Sequence, residues 1–218
     1  MRKKVLITGG NGDIAQAIAR RLGERDYEVC LPGRQELDVT SIESAENYIS
    51  AFVPDILINN AGFVQPESIR DCDLSREAKT LDVNLFGTFN CSAAVLRRNP
   101  QTKIINIGSS AATKVHGTWS AYCAAKAAVV MATKCWAEDG VDVVCISPGR
   151  TRTKMRRSLY PNEDPNTLLN PDDFAVVVLQ AILGRYERGS HINVNLSNVG
   201  ELIHETQRSI DQDGKAIY

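Results

Sequence analysis

Short apolar runs alternate with longer amphipathic ones along this chain, and the alternation predicts its elements before any motif is considered. Strands are expected at 3–8, 27–31, 55–59, 102–108, 141–146 and 190–195, where runs such as Val5-Leu6-Ile7 and Ile56-Leu57-Ile58 sit between turn residues. Helical periodicity predicts helices at 13–23, 40–51, 75–98, 119–138 and 171–185. Pro100 and Gly140 fall where two of these helices should stop. Strands that are apolar throughout, separated by helices, argue for a parallel sheet covered on both faces. No internal repeat or low-complexity linker interrupts the pattern. The expected architecture is therefore a single α/β domain with a doubly wound parallel sheet.

Two segments carry chemistry. Residues 8–15, T-G-G-N-G-D-I-A, join the first strand to the first helix. Strand, glycine-rich turn and helix together aim backbone N–H groups and a helix N-terminus at a phosphate. Gly9 permits the tight turn, Gly12 the close approach of a pyrophosphate, and Ala15 the packing of helix on strand. Further on, Tyr122 and Lys126 stand four residues apart in helix 119–138, so they share a face. An ammonium beside a phenol favours the phenolate, drawing its reference pKa of about 10 toward neutrality. Such a tyrosine can give or take a proton. Taken alone, the same pair also fits a surface helix with one aromatic and one solvated lysine.

Composition narrows the class. The chain has 218 residues, 43% apolar and 23% charged, which suits one globular domain with a sizeable core. A formal charge of −1 gives no reason to expect nucleic acid or a membrane surface as partner. No stretch is apolar enough to span a bilayer. The six cysteines have no CxxC or zinc-ligand spacing, so no metal is expected and reduced thiols in the cytoplasm are the simplest account. On that account the sequons at Asn90 and Asn195 have no glycosylation context.

The two segments resemble the short-chain dehydrogenase/reductase family, and further motifs follow in that family's order. N-N-A-G occupies 59–62, V-N-L-F-G carries Asn84, I-N-I-G-S carries Ser109 thirteen residues before Tyr122, and S-P-G-R-T-R-T-K-M spans 147–155. The likeness covers roughly residues 3–195 and is nearest to compact, single-domain members. It implies a Rossmann-like fold and an NAD(P)-dependent oxidoreductase that interconverts a carbonyl and a secondary alcohol. By resemblance Tyr122 is the general acid or base, and Lys126 lowers its pKa and holds the nicotinamide ribose. Ser109 donates to the substrate oxygen, and Asn84 fixes a water or backbone link behind Lys126. Ser110 is the alternative to Ser109 if the turn slips by one. The resemblance places the cofactor against Thr8, Gly9, Asn11, Gly12, Asp13, Ile14, Asp38, Val39, Asn60, Ala61, Gly62, Pro148, Gly149, Thr151 and Thr153. Phe63, Val64, His116 and Trp119 are expected to border the pocket, with no catalytic role assigned to His116.

Several positions depart from the family pattern. Only Gln35, Glu36 and Leu37 separate Arg34 from Asp38, so a helix is expected to be missing and an edge strand to shrink to Glu36–Val39. Asp38 also reads as a turn or cap residue ahead of Thr40. No acid follows the second strand and Arg34 is in reach, which favours NADP(H) over NAD(H) through charge and paired donors on a 2′-phosphate. Asp13 stands where a glycine is usual and adds negative charge near the pyrophosphate. The family's lid segment carries Arg150, Arg152, Lys154, Arg156 and Arg157, which suggests either an anionic substrate or a solvated basic helix.

Residues 1–196 are expected to form the dinucleotide-binding domain. The tail 197–218, with one amphipathic helix in it, would cover the pocket, pack on a neighbouring subunit or be disordered. Helices 75–98 and 119–138 would, by resemblance, build a homodimer or homotetramer. Two other classes share parts of the pattern. A sugar-nucleotide epimerase or dehydratase has the glycine turn and YxxxK, but the residues after Pro171 leave little room for its usual substrate domain. A non-catalytic dinucleotide-binding regulator tends to lose the tyrosine or lysine that this chain retains.

Overall fold

Val5, Leu6 and Ile7 are completely buried in the first strand, β1 (Lys3–Ile7), and this sets the plan of the molecule. Such a strand can only lie inside a sheet with both faces covered. The computed structural model describes residues 2–204. Its strands β1, β2 (Tyr27–Cys30), β3 (Ile56–Asn59), β4 (Lys103–Ile107), β5 (Val143–Pro148) and β6 (His191–Val194) form one parallel sheet in the order β2-β1-β3-β4-β5-β6.

One apolar layer lies under α1 (Asp13–Gly23) and α7 (Pro171–Ile182) and contains Ile18, Leu22, Phe174 and Val178. The opposite layer lies under α2 (Ile42–Ala51) and α4 (Gly87–Arg98) and contains Leu6, Ile49, Leu57 and Val95. Each fully buried aliphatic side chain contributes about 1.5–3 kcal/mol. The exposed ion pairs, such as Arg2–Asp26, contribute about 0–1 kcal/mol each, so the two dry layers hold the fold.

The single-domain doubly wound sheet matches the expectation, with two local differences. Glu36–Val39 forms no strand, and β2 is the sheet edge. The N–H groups of Glu36 and Leu37 both bond to the Gly33 carbonyl, which closes a turn. Leu37 and Val39 bury their side chains in the second core layer. The expected helix 75–98 is broken into α3 (Leu74–Leu81), a π-helical turn (Asp82–Phe86) and α4. In the π turn the Gly87 N–H reaches back to the Asp82 carbonyl, and the widened turn directs Asn84 inward.

The remaining helices are α5 (Ser120–Glu138), which packs over β5, and the short α6 (Lys154–Leu159). Residues 199–204 begin a helix in which Val199, Leu202 and Ile203 pack on the first core layer. The rest of the expected tail helix, and the tail beyond it, lie outside the described residues. No helix among the described residues is long and apolar enough to cross a membrane.

Candidate active site

The sheet order reverses between β1 and β3, and open α/β sheets bind ligands outside the carboxyl ends of the strands at such a point. Gly9 turns there with φ +66°, and a Cβ on it would sit 2.9 Å from the Ala61 Cα. Only glycine lets the turn lie this close to the loop after β3. Thr8 fastens the same junction from below, its buried hydroxyl accepting from the N–H groups of Asn60 (3.0 Å) and Ala61 (2.9 Å). Asn60 Nδ2 donates back to the Thr8 carbonyl at 3.0 Å.

A cleft of about 510 Å³ opens above this cradle, within the range of roughly 300–1,000 Å³ usual for ligand sites. The glycine turn supplies Gly9, Asn11, Gly12, Asp13 and Ile14, and the next loop supplies Asn60, Ala61 and Gly62. Arg34, Asp38 and Val39 line one end; Tyr122, Lys126, Pro148 and Thr153 line the other. Thr8 lies beneath the cleft and not on its wall, while Gly149 and Thr151 line a second cavity. A glycine-rich cradle facing the N-terminus of α1 fits a phosphorylated dinucleotide.

Arg34 Nη2 lies 3.5 Å from Asp38 Oδ2 at the open end. The Thr40 hydroxyl and N–H both donate to Asp38 Oδ1, so Asp38 is a turn residue as well as a wall of the cleft. Chiefly the Thr40 hydroxyl bond, aided by Arg34, holds its carboxyl below the usual range.

At the other end Tyr122 is half-buried and borders both cavities. Lys126 is only 4% exposed; its Nζ donates to the Ile107 carbonyl at 2.9 Å and lies 5.8 Å from the centre of the Tyr122 ring. Burial pushes its pKa down to about 8. The expected lowering of the phenol by this ammonium does not prevail, because burial raises Tyr122 and the Ser109 hydroxyl only partly offsets that. Ser109 is the serine whose hydroxyl lowers the phenol pKa, its Oγ accepts from the Ala111 N–H at 3.2 Å, and both Ser109 and Ser110 line the second cavity. Asn84 is fully buried and bonded to Phe63 and Thr80: its Nδ2 donates to both carbonyls, and its Oδ1 accepts from the Phe63 N–H. No direct bond joins it to Lys126.

The second cavity, about 120 Å³, lies between Ser109, Tyr122 and the lid. Val64, His116 and Trp119 border it as expected, while Phe63 faces the larger cleft. His116 stacks on Trp119 with centroids 5.2 Å apart, and Trp119 meets Tyr122 edge-on at 5.5 Å. Three of the lid's five basic residues have carboxylate partners. Arg156 holds Glu163 in two bonds of 2.6 and 2.8 Å, and Arg150 Nη1 reaches the same carboxylate at 3.2 Å. Lys154 donates its N–H to Asp13 Oδ2, with Nζ 3.9 Å from Oδ1. Asp13 therefore ties the glycine turn to the start of α6.

Sequence reasoning misses Lys79 and Val83 on the cleft wall, and Glu163 behind the lid. Lys79 lies over the Phe63 ring at 4.7 Å and lines the cleft with Val83; the i, i+4 spacing to Val83 was a usable signal. Glu163 lies in a polar connection to α7, and nothing local marks it.

The family profile for short chain dehydrogenases matches residues 36–164. The 3-oxoacyl-acyl-carrier-protein reductase of Vibrio cholerae is 31% identical over 196 residues, covering 76% of this chain and 80% of that protein. A structure of 4-hydroxyisoleucine dehydrogenase complexed with NADH has TM-score 0.76 and 25% identity, covering 88% of this chain and 96% of its own. A small-chain dehydrogenase in complex with NADPH shares the fold, with TM-score 0.80 and 22% identity over 93% of this chain and all of that one. Motifs, sheet order, cleft and relatives agree: the chain belongs to the short-chain dehydrogenase/reductase family of oxidoreductases.

Proposed function

We propose that this chain interconverts a carbonyl and a secondary alcohol, with Tyr122 handling the proton. The observation that carries the reading is the position of the phenol on the wall shared by the two cavities, with Ser109 and Lys126 around it. A nicotinamide dinucleotide, when bound, supplies or accepts the hydride. Gly9, Gly12 and the α1 N-terminus bind its phosphates, and the residues from Asn60 to Gly62 line its path. Ser109 donates to the substrate oxygen, where negative charge develops during reduction. A tyrosine whose pKa is raised by burial is protonated at neutral pH, which suits it to donate to that oxygen. With a pKa of about 8, Lys126 is mostly cationic at pH 7 and stabilises the phenolate left behind. Asn84 holds the Phe63 loop from the π turn, and a water-borne proton path behind Lys126 is part of the proposal.

The test is consumption of NADPH or NADH with a panel of small aldehydes and ketones. Reduction to the alcohol is expected. Dinucleotide binding with no turnover would favour a regulator, and a stable product with no net cofactor change would favour an epimerase.

NADP(H) is the proposed cofactor, supported by Arg34 at the cleft mouth and by the absence of an acid from Cys30 to Arg34, just past β2. A hydrogen bond to a charged group is worth about 1.5–3 kcal/mol. Arg34→Ala should therefore lower kcat/KM for NADPH by roughly 10–100-fold and leave NADH little changed. An equal loss with both cofactors would assign Arg34 no role in the choice.

A homodimer or homotetramer in the cytoplasm completes the proposal. Phe86 and Phe89 beside α4 and Met131 on α5 are 55%, 41% and 60% exposed, a large apolar display for a free surface. Light scattering should give a dimeric or tetrameric mass, reduced in Met131→Glu. A monomeric wild type would remove this part.

The expectation of either an anionic substrate or a solvated basic helix rested on five basic residues in the lid segment. Arg150, Arg156 and Lys154 have carboxylate partners, and Arg152 and Arg157 are exposed and line neither cavity.

A further inference from the structure

We infer that Glu163 fixes the charge preference of the substrate cavity, so that the enzyme takes compact, uncharged carbonyl compounds with an apolar or planar flank. This rests on the hydride-transfer reading above and names its substrate class.

Arg156 and Arg150 both line the cavity that Ser109 and Tyr122 also line, and Arg156 is the more buried of these two cations. One edge of the Arg156 guanidinium is taken by both oxygens of Glu163, through Nε and Nη2. The two side chains are 16% and 15% exposed, so this is a largely buried pair, with Arg150 as a second and more exposed partner of the same carboxylate. The face of the Arg156 guanidinium lies on the Tyr160 ring at 3.9 Å, leaving little freedom to turn toward a new partner. Arg150 also touches Glu163, but its side chain is 58% exposed and its charge is screened by solvent. A substrate carboxylate entering here would meet an already matched arginine with a second carboxylate behind it. In a partly desolvated site that arrangement disfavours an anion and leaves a neutral group untouched.

Size and lining point the same way. The cavity's roughly 120 Å³ is well below the range of about 300–1,000 Å³ typical of larger ligands. Trp119 and His116 form a flat wall beside Tyr122, with Ile14, Val64 and Leu159 around it. Such a wall suits a planar or aliphatic group next to the reacting carbon.

The test uses pairs of equal shape and different charge: pyruvamide against pyruvate, and phenylglyoxylamide against phenylglyoxylate. Wild-type enzyme with its cofactor should favour the amide in kcat/KM by roughly tenfold or more, the scale of one charge contact in such a site. Glu163→Gln should shrink that ratio by about tenfold through a lower KM for the carboxylate, since it frees the guanidinium. The double variant Arg156→Gln/Glu163→Gln should restore the amide preference, which separates charge from any loosening of the lid.

If no pair is reduced, hydride transfer to these carbonyls fails, and the same ratios are read as Kd by calorimetry on the NADP(H)-loaded chain. Preference for the carboxylate by wild type, a ratio unmoved by Glu163→Gln, or binding of neither partner would overturn the inference.

Discussion

Replacing Tyr122 with phenylalanine is expected to cut turnover by about two to four orders of magnitude, the usual scale of general acid–base assistance. Dinucleotide affinity should change little, because the proposed cradle for the phosphates is Gly9, Gly12 and the Asn60–Gly62 loop and does not include the phenol. The substitution removes one oxygen and keeps the ring that packs against Trp119. Steady-state kinetics together with a calorimetric titration of NADPH check both halves. A variant with full activity would mean that the proton comes from elsewhere, and one that no longer binds NADPH would mean that Tyr122 has a binding role instead.

Lys126→Met should abolish turnover while making the ligand-free protein more stable at pH 7. Lys126 is nearly fully buried and its pKa falls from 10.5 to about 8, so folding disfavours its charged form. At about 1.4 kcal/mol per unit this is a cost of roughly 3 kcal/mol below pH 8. Methionine fills similar space, and losing the bond to the Ile107 carbonyl takes back about 1 kcal/mol. A net gain of about 1–2 kcal/mol should raise Tm by roughly 3–8 °C in a domain of this size.

The pH dependence has a definite sign. Between about pH 8 and 10.5 the unfolded chain keeps a proton on Lys126 that the folded chain has released, so wild-type stability rises through that window. The advantage of the methionine variant should accordingly shrink from pH 7 to pH 10. Thermal unfolding at both pH values measures it. A less stable variant at pH 7, or a gap independent of pH, would show that the buried ammonium costs the fold nothing.

The sheet was readable because its strands are buried on both faces and therefore apolar without interruption, as Val5-Leu6-Ile7 and Ile56-Leu57-Ile58 illustrate. The glycine turn and the Tyr122/Lys126 pair were legible for a related reason, since local spacing fixes their geometry before tertiary packing begins. What depended on packing between distant segments was not. The π turn is invisible to a helical period, because Asn84 is drawn inward by the Phe63 carbonyl twenty-one residues away. Glu36–Val39 carries the alternation of a strand, but its backbone bonds close on Gly33. The ion pairs of the lid were not legible because the partners, Asp13 and Glu163, lie outside the basic run. The phenol's pKa went the other way because burial, a tertiary property, outweighs a neighbour that helical spacing alone could supply.

The most direct measurement is a crystal structure of the chain with NADP(H) and a carbonyl compound bound. The phosphates are predicted on the turn from Gly9 to Ile14, the nicotinamide where the two cavities meet, and the substrate oxygen within hydrogen-bonding reach of both Tyr122 and Ser109. A dinucleotide bound elsewhere, or a substrate oxygen out of reach of the phenol, would contradict the assignment.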